Sequence, residues 1–138
     1  MKKIRNGIFE TNSSSTHSIT LGDFVPTKNM TGWLPDEDGN YHIAYGEFGW
    51  GPDEYNDCMT KASYALTFAK DDEHKDELLK SALADVGIAP VVFDGDAYNA
   101  YIDHQSSHVG ALLFESKENL LRFIFDSDSV LTIDNDNH

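Results

Sequence analysis

The order of apolar and polar positions predicts groups of short strands separated by helices. Period-two alternation and short apolar runs bounded by glycine, proline or polar clusters are typical of strands. They predict strands over residues 2–10, 18–25, 41–45, 90–93 and 130–133, a brief strand over 112–114, and an element of either kind over 97–102. Glycine-rich, proline-rich or polar stretches predict loops over 26–39, 46–57 and 103–110.

Helical periodicity predicts three helices, over residues 58–69, 72–86 and 117–126. Asp57 and Ser116 stand where N-caps are expected, and Gly87 stands where a helix C-terminus favours a residue that tolerates positive φ. On the first helix, an apolar stripe begins at Met59 and is expected to face the core.

Strands grouped between helices, without a regular alternation of strand and helix, predict an α+β fold. A length of 138 residues suits one domain with a substantial core. We expect that domain over residues 1–133, with a small, mostly antiparallel sheet packed against about three helices. Residues 134–138 are expected to form a frayed acidic tail, because they are too polar to pack.

The sequence carries no sign of a membrane span or of an oxidising compartment. No apolar run approaches the roughly 20 residues that cross a bilayer, and no apolar segment follows the basic N-terminus as in a signal peptide. The single cysteine, Cys58, cannot form an internal disulfide. These features predict a reducing cytoplasm.

Charge is the strongest global feature, because 24 acidic residues against 10 basic ones give a formal net charge of −14. Such a chain repels nucleic acid and anionic membranes, so direct binding to either is not expected. It is attracted to proteins with basic surfaces, including nucleic-acid-binding channels. The alternative is that the charge serves only solubility, and a homodimer is also left open.

Acidic residues occur in several clusters, and two of these clusters are the expected partner-binding residues. Carboxylates on one face, spaced like backbone phosphates, would compete for a nucleic-acid-binding groove. None of the clusters has the ligand spacing of a calcium-binding loop. The expected partner-binding residues are Asp71, Asp72, Glu73, Asp76, Glu77, Asp94 and Asp96.

The Ser- and His-rich segment 10–18 is a candidate ligand site, because hydroxyls and loop amides donate hydrogen bonds to anions. Ser14 and His17 also have the residue types of a nucleophile–base pair, although neighbours in sequence rarely reach the required geometry. The structural alternative is a loop held by its own Asx and Ser/Thr turns. The expected ligand-binding residues are Arg5, Asn12, Ser13, Ser14 and His17, together with Trp50 from a later loop.

Residues 103–108 (DHQSSH) contain a second candidate, in which Asp103 could orient His104 as an acid/base group. The two histidines of this motif also have the i,i+4 spacing of a zinc pair, which Asp103 or a distant His17, His42 or Cys58 could complete. No recognised zinc pattern accompanies them, so we expect neither a metal nor another cofactor. The structural alternative is a hydrogen-bonded histidine at the domain edge.

Residues 46–52 (GEFGWGP) contain a third candidate. Glu47 has the residue type of an acid/base group, although no second carboxylate stands at a telling spacing. Phe48 and Trp50 could stack on a base or fill a partner's pocket. The structural alternative is that both rings cover the core beneath a loop.

Three blocks of the sequence resemble a group of small proteins encoded by bacteriophages and their hosts. The longest block is RNGIFETNSSSTHS over residues 5–18. The others are GEFGW over 46–50, followed by K-x-x-Y-x-L-T over 61–67, and DHQS over 103–106. The resemblance implies a phage genome and therefore a host bacterial cytoplasm, and it implies no catalytic residues.

Three hypotheses follow. The favoured one is a non-enzymatic, phage-encoded acidic protein that inhibits a host nucleic-acid-handling or defence protein, such as a CRISPR or restriction effector, by acidic mimicry. The second is a small enzyme or ligand-binding protein for a nucleotide or another phosphorylated metabolite, with Ser14, His17, Glu47 and His104 as its catalytic residues. The third is a structural component of a particle, which a large exposed apolar patch would indicate.

Overall fold

The computed structural model describes residues 15–28, 31–48, 53–102 and 107–135. The strand predicted over residues 2–10 lies outside them. In this part of the chain, strands and helices segregate in the order of an α+β protein, so the predicted fold class is confirmed. In chain order the elements are β1 (Ser15–Thr20), β2 (Tyr41–Ala44), β3 (Glu47–Phe48), β4 (Asp53–Tyr55), α1 (Cys58–Phe68), α2 (Glu73–Asp85), β5 (Val91–Asp94), β6 (Tyr101–Ile102), α3 (Ser107–Leu113), α4 (Lys117–Phe125) and β7 (Val130–Asn135).

The described strands form three small sheets. The largest is antiparallel and places β7 between β1 and β4, pairing His17 with Ile133 and Glu54 with Thr132. The other two are parallel pairs, β2 with β5 and β3 with β6. Parallel strands need a long crossover connection, and α1 and α2 supply one between β2 and β5.

The core lies where α1 packs against α4 and the strands around it. Tyr64 and Leu66 of α1, Leu120 and Phe123 of α4, and Leu131 of β7 are fully buried there. Removing a large apolar side chain from water contributes roughly 1.5–3 kcal/mol, so this cluster is a main source of stability.

The predicted helix ends are confirmed by their capping contacts. Asp57 accepts a hydrogen bond from the Thr60 amide at 2.9 Å, and Ser116 accepts one from the Asn119 amide at 3.0 Å. Each bond satisfies one of the free amides of a first helical turn. Gly87 follows the end of α2 with a φ of 89°, which favours glycine.

Helix α3 occupies a stretch for which the sequence predicted a polar loop and a brief strand, and that prediction is wrong. Val109 and Leu113, four residues apart, are buried and give the helix an inner face. Gly110 allows the close approach, because a Cβ built there would lie 2.3 Å from the Phe68 ring. Tertiary packing therefore decides the conformation of this polar stretch.

The strand predicted over residues 18–25 ends at Thr20. Beyond it, the Gly22 amide donates to the Ser129 hydroxyl and the Phe24 amide donates to the Asp126 carboxylate, both at 2.8 Å. These amides are therefore taken by side chains that precede β7, and are not available to a sheet.

Three further strand boundaries differ from the prediction. The predicted loop 46–57 contains β3 and β4, which are two and three residues long. Strands this short cannot display a clear period. β7 continues to Asn135, two residues into the predicted tail, where it pairs with β1. Residues 136–138 lie outside the described part of the chain.

A buried lysine closes the connection between α4 and β7. Lys61 of α1 has no exposed surface, and its Nζ donates to the carbonyl oxygens of Asp126 and Ser129, both at 2.8 Å. Burial lowers the pKa of Lys61 below its ordinary value, since desolvation disfavours the charged form. α1 thus anchors the same turn that holds residues 22–24.

Candidate functional site

Acidic side chains converge around Tyr45 at the N-terminal end of α2. The residues that line one cavity of about 280 Å³ include Tyr45, Lys70 and the carboxylate residues Asp71, Asp72, Glu73 and Asp76. Asp72 is positioned as the N-cap of α2, where it accepts amide hydrogen bonds of 3.1 and 3.2 Å from the first turn. Glu77 follows Glu73 by one helical turn. We call these five carboxylate residues the acidic face.

Lysines neutralise only part of the acidic face. Lys75 Nζ lies 3.0 Å from the Asp72 carboxylate, and Lys80 Nζ lies 3.7 Å from the Asp76 carboxylate. Both pairs are substantially exposed, so each contributes little to stability. The remaining members, Asp71, Glu73 and Glu77, form no ion pair within the described residues.

The pKa of Tyr45 reflects both its burial and the nearby carboxylates of the acidic face. Its ring is half-buried and makes an edge contact with Phe93, with the centroids 6.2 Å apart. Burial raises the pKa of Tyr45, and the charges of Asp76 and Asp71 raise that pKa further. A surface that disfavours a phenolate attracts cations by the same electrostatics.

The other two expected partner-binding residues follow β5. Asp94 lies beside Tyr45, whose amide donates to the Asp94 carbonyl at 2.9 Å. The Asp96 carboxylate accepts the Tyr98 amide at 3.0 Å and also binds the Asn99 side chain, so it stabilises its own turn. The backbone of Asp94 therefore lies beside Tyr45, but its carboxylate binds His42 and does not join the acidic face. Asp96 is committed to its own turn.

A histidine joins two carboxylates at the edge of the β2–β5 pair. His42 Nδ1 lies 2.8 Å from Asp94 Oδ2, and His42 Nε2 lies 2.6 Å from Asp36 Oδ2. The hydrogen bond to Asp36 raises the pKa of His42 most, and the hydrogen bond to Asp94 raises it further. The same bond to His42 lowers the pKa of Asp36. This His42 bridge ties the 31–40 loop to the end of β5.

His17, an expected ligand-binding and catalytic residue, is buried in β1. Its Nδ1 lies 3.0 Å from the hydroxyl of Tyr64, which has no exposed surface. The Tyr64 ring makes an edge contact with Phe48 of β3 at 4.9 Å. Residues from the first two sequence blocks therefore meet in the core.

The remaining expected ligand-binding and catalytic residues are not brought together by the described structure. Glu47 is exposed on β3. The others lie outside the described residues: Arg5, Asn12, Ser13, Ser14, Trp50 and His104. Across the described residues there is no group of three or more His, Cys, Asp or Glu side chains that could hold a metal ion.

The sequence pattern does not predict the position of Tyr45 at this surface, nor the pairing of His42 with Asp36 and Asp94. These contacts depend on the parallel register of β2 and β5, which no local pattern encodes. Alternation over 41–45 was the one available signal.

Comparison with known proteins gave no match to a family model, to a curated protein or to a solved structure. None of the helices in the described residues is long and apolar enough to span a membrane. The assignment of a function therefore depends on charge, geometry and the resemblance of the three sequence blocks.

Proposed function

We propose that this chain is a non-enzymatic acidic binding protein whose acidic face occupies the basic, nucleic-acid-binding surface of another protein. The observation that carries the proposal is the gathering of Asp71, Asp72, Glu73 and Asp76 around Tyr45, with Glu77 one helical turn beyond Glu73, in a chain of net charge −14. Charge of one sign on a surface raises the rate of association with a partner of opposite charge.

The pairing of the described lysines further supports this proposal. Lys75, Lys80 and Lys117 each pair with an aspartate of α2 or of its N-cap, and Lys61 is buried. Lys70 binds the carbonyl of Ala100. Of the described lysines only the exposed Lys28 has no such partner, whereas Asp71, Glu73 and Glu77 remain without ion pairs within the described residues.

The resemblance of three sequence blocks to small proteins of bacteriophages and their hosts supplies the biological context of the proposal. In that context the chain would be phage-encoded and would act in the host cytoplasm. Its partner would be a host nucleic-acid-handling or defence protein, such as a CRISPR or restriction effector. Inhibition would follow because the partner's groove cannot hold the acidic face and a phosphate backbone together.

The test is retention of host proteins from a bacterial lysate by the tagged chain, at low and high salt, followed by mass spectrometry. A face variant carries Asp71→Asn, Glu73→Gln and Glu77→Gln. A control variant carries Glu54→Gln, Glu118→Gln and Asp128→Asn, which removes the same charge from exposed positions elsewhere.

The proposal predicts a basic nucleic-acid-handling protein that is retained at low salt and released at high salt. The wild type and the control variant retain it, and the face variant does not. Retention that does not change with salt concentration, or an equal loss of retention in both variants, would contradict a role for the acidic face.

A second candidate is supported by the His17–Tyr64–Phe48 contacts, which link His17 of the Ser- and His-rich segment to Phe48 through the Tyr64 side chain. In this reading the chain is a small enzyme or ligand-binding protein for a nucleotide or another phosphorylated metabolite. Mass spectrometry of the purified chain under native conditions tests it. A bound nucleotide that is lost in Tyr64→Phe, with no retained protein partner, would favour this function over the first.

A further inference from the structure

An apolar cavity opens beside the His42 bridge. Its lining residues are distant in sequence from those of the acidic face. It has a volume of about 270 Å³, and its apolar walls include Trp33, Leu34, Tyr41 and Met59. Leu34 is 86% exposed and Met59 is 49% exposed. Met59 thus belongs to the predicted apolar stripe of α1 but faces solvent at this site. We call this space the Leu34–Met59 cavity.

The cavity is held open by contacts on both sides of the loop that forms it. The Asp36 carboxylate accepts the amides of Asp38 and Asn40 at 2.8 and 2.9 Å and also binds His42. At the other side, the Trp33 ring packs against the buried ring of Phe125, with centroids 5.2 Å apart. A preformed site needs little ordering when a ligand binds.

The surroundings of the cavity are acidic. Asp36 lines it, Glu37 and Asp38 continue the same exposed loop, and Asp57 precedes Met59 by two positions. The one basic group among its described lining residues is His42, which is bound to the carboxylates of Asp36 and Asp94. An apolar cavity of this kind complements an apolar side chain that is flanked by cations.

The dimensions and charge select among occupants. The volume lies just below the roughly 300–1,000 Å³ of small-molecule pockets, which favours one or two side chains of a protein. A second copy of this chain would bring another −14 charge to an acidic surface. An anionic lipid surface would be repelled for the same reason.

We propose that the Leu34–Met59 cavity binds a basic amphipathic segment of a partner protein, whose apolar side chain enters the cavity while flanking Arg or Lys residues meet the carboxylates around it. This inference rests on the proposed function and specifies how a basic partner would be recognised. Leu34 and Met59 supply the apolar contact, and the exposed Glu37 and Asp38, which form no ion pair within the described residues, supply the charge beside it.

Three short synthetic peptides test the proposal with the whole 138-residue chain. One alternates Leu and Arg, one replaces each Leu by Ser, and one replaces each Arg by Glu. The readout is the NMR signal of ¹³C-labelled methionine methyl groups, of which the chain has three, with Met59 assigned from Met59→Leu. The variants are Leu34→Ser and the matched control Tyr98→Ser, since Tyr98 is 89% exposed and outside the cavity.

The Leu/Arg peptide is expected to shift the Met59 methyl signal, and Leu34→Ser is expected to weaken its binding about tenfold or more, as for the loss of one buried leucine. Tyr98→Ser should leave that affinity unchanged. Equal binding of the Leu/Arg and Ser/Arg peptides, without a Met59 shift, would overturn the cavity proposal and leave the acidic binding function standing. Equal binding of the Leu/Glu peptide would overturn the charge requirement. No binding of either basic peptide at low salt would overturn both proposals.

Discussion

Replacement of the buried Lys61 by methionine is expected to destabilise the fold strongly. The change removes two hydrogen bonds of 2.8 Å from an ammonium group to carbonyl oxygens. The Asp126 carbonyl keeps a second donor, the Ser129 amide at 2.9 Å. The Ser129 carbonyl has no other donor among the described residues, so it is left buried and unsatisfied.

The magnitude follows from these contacts. Hydrogen bonds to charged groups contribute about 1.5–3 kcal/mol each, and an unsatisfied buried carbonyl costs about 1–3 kcal/mol. Part of this loss is offset, because the methionine variant does not bury an ammonium group in an apolar core. We therefore expect a net loss of about 2–4 kcal/mol in the free energy of unfolding for Lys61→Met.

Urea unfolding followed by circular dichroism measures this loss. For a domain of this size, the midpoint should fall by roughly 1–2 M urea. Lys28→Met is the matched control, since Lys28 is exposed and the charge change is the same. A Lys61→Met midpoint equal to or above that of the control would refute the reasoning, and would mean that desolvation of the ammonium outweighs its hydrogen bonds.

Two further predictions concern the bridge and the packing of α3. The pKa of His42 is raised above its ordinary 6.5. The stability that the His42 bridge contributes is therefore fully present below pH 6.5 and is lost as the pH rises through the raised pKa. Urea midpoints measured from about pH 6 to pH 9 should therefore converge between wild type and His42→Gln; a constant difference would contradict the bridge. Gly110→Ala should lose about 1–3 kcal/mol, because the new Cβ meets the Phe68 ring. Ala111→Ser on the exposed side of the same helix is its control, and equal thermal midpoints would contradict the packing.

Local chemistry accounts for the parts of the fold that were predicted well. Asp57, Ser116 and Gly87 mark helix ends through contacts within a few residues, so the sequence is enough to place α1, α2 and α4. α3 was not predicted because its stability depends on the close contact between Gly110 and Phe68, two residues that are far from each other in sequence.

The candidate site was predictable only in part. The carboxylates of the acidic face all lie within residues 71–77, and the N-terminal end of α2 brings four of them to one cavity. The role of Tyr45 and the His42 bridge depend on strand pairing between distant segments. The burial of Lys61 could not be predicted from its residue type, because a charged side chain is ordinarily exposed.

Competition with nucleic acid distinguishes occupation of the partner's nucleic-acid groove from binding elsewhere on the partner. The retained partner is loaded with a fluorescent oligonucleotide, and fluorescence anisotropy is followed as the acidic chain is added. The account predicts displacement of the oligonucleotide by wild type and by the control variant, and much weaker displacement by the Asp71→Asn, Glu73→Gln, Glu77→Gln variant. A ternary complex in which the oligonucleotide stays bound would contradict the claim that the acidic face occupies the nucleic-acid site.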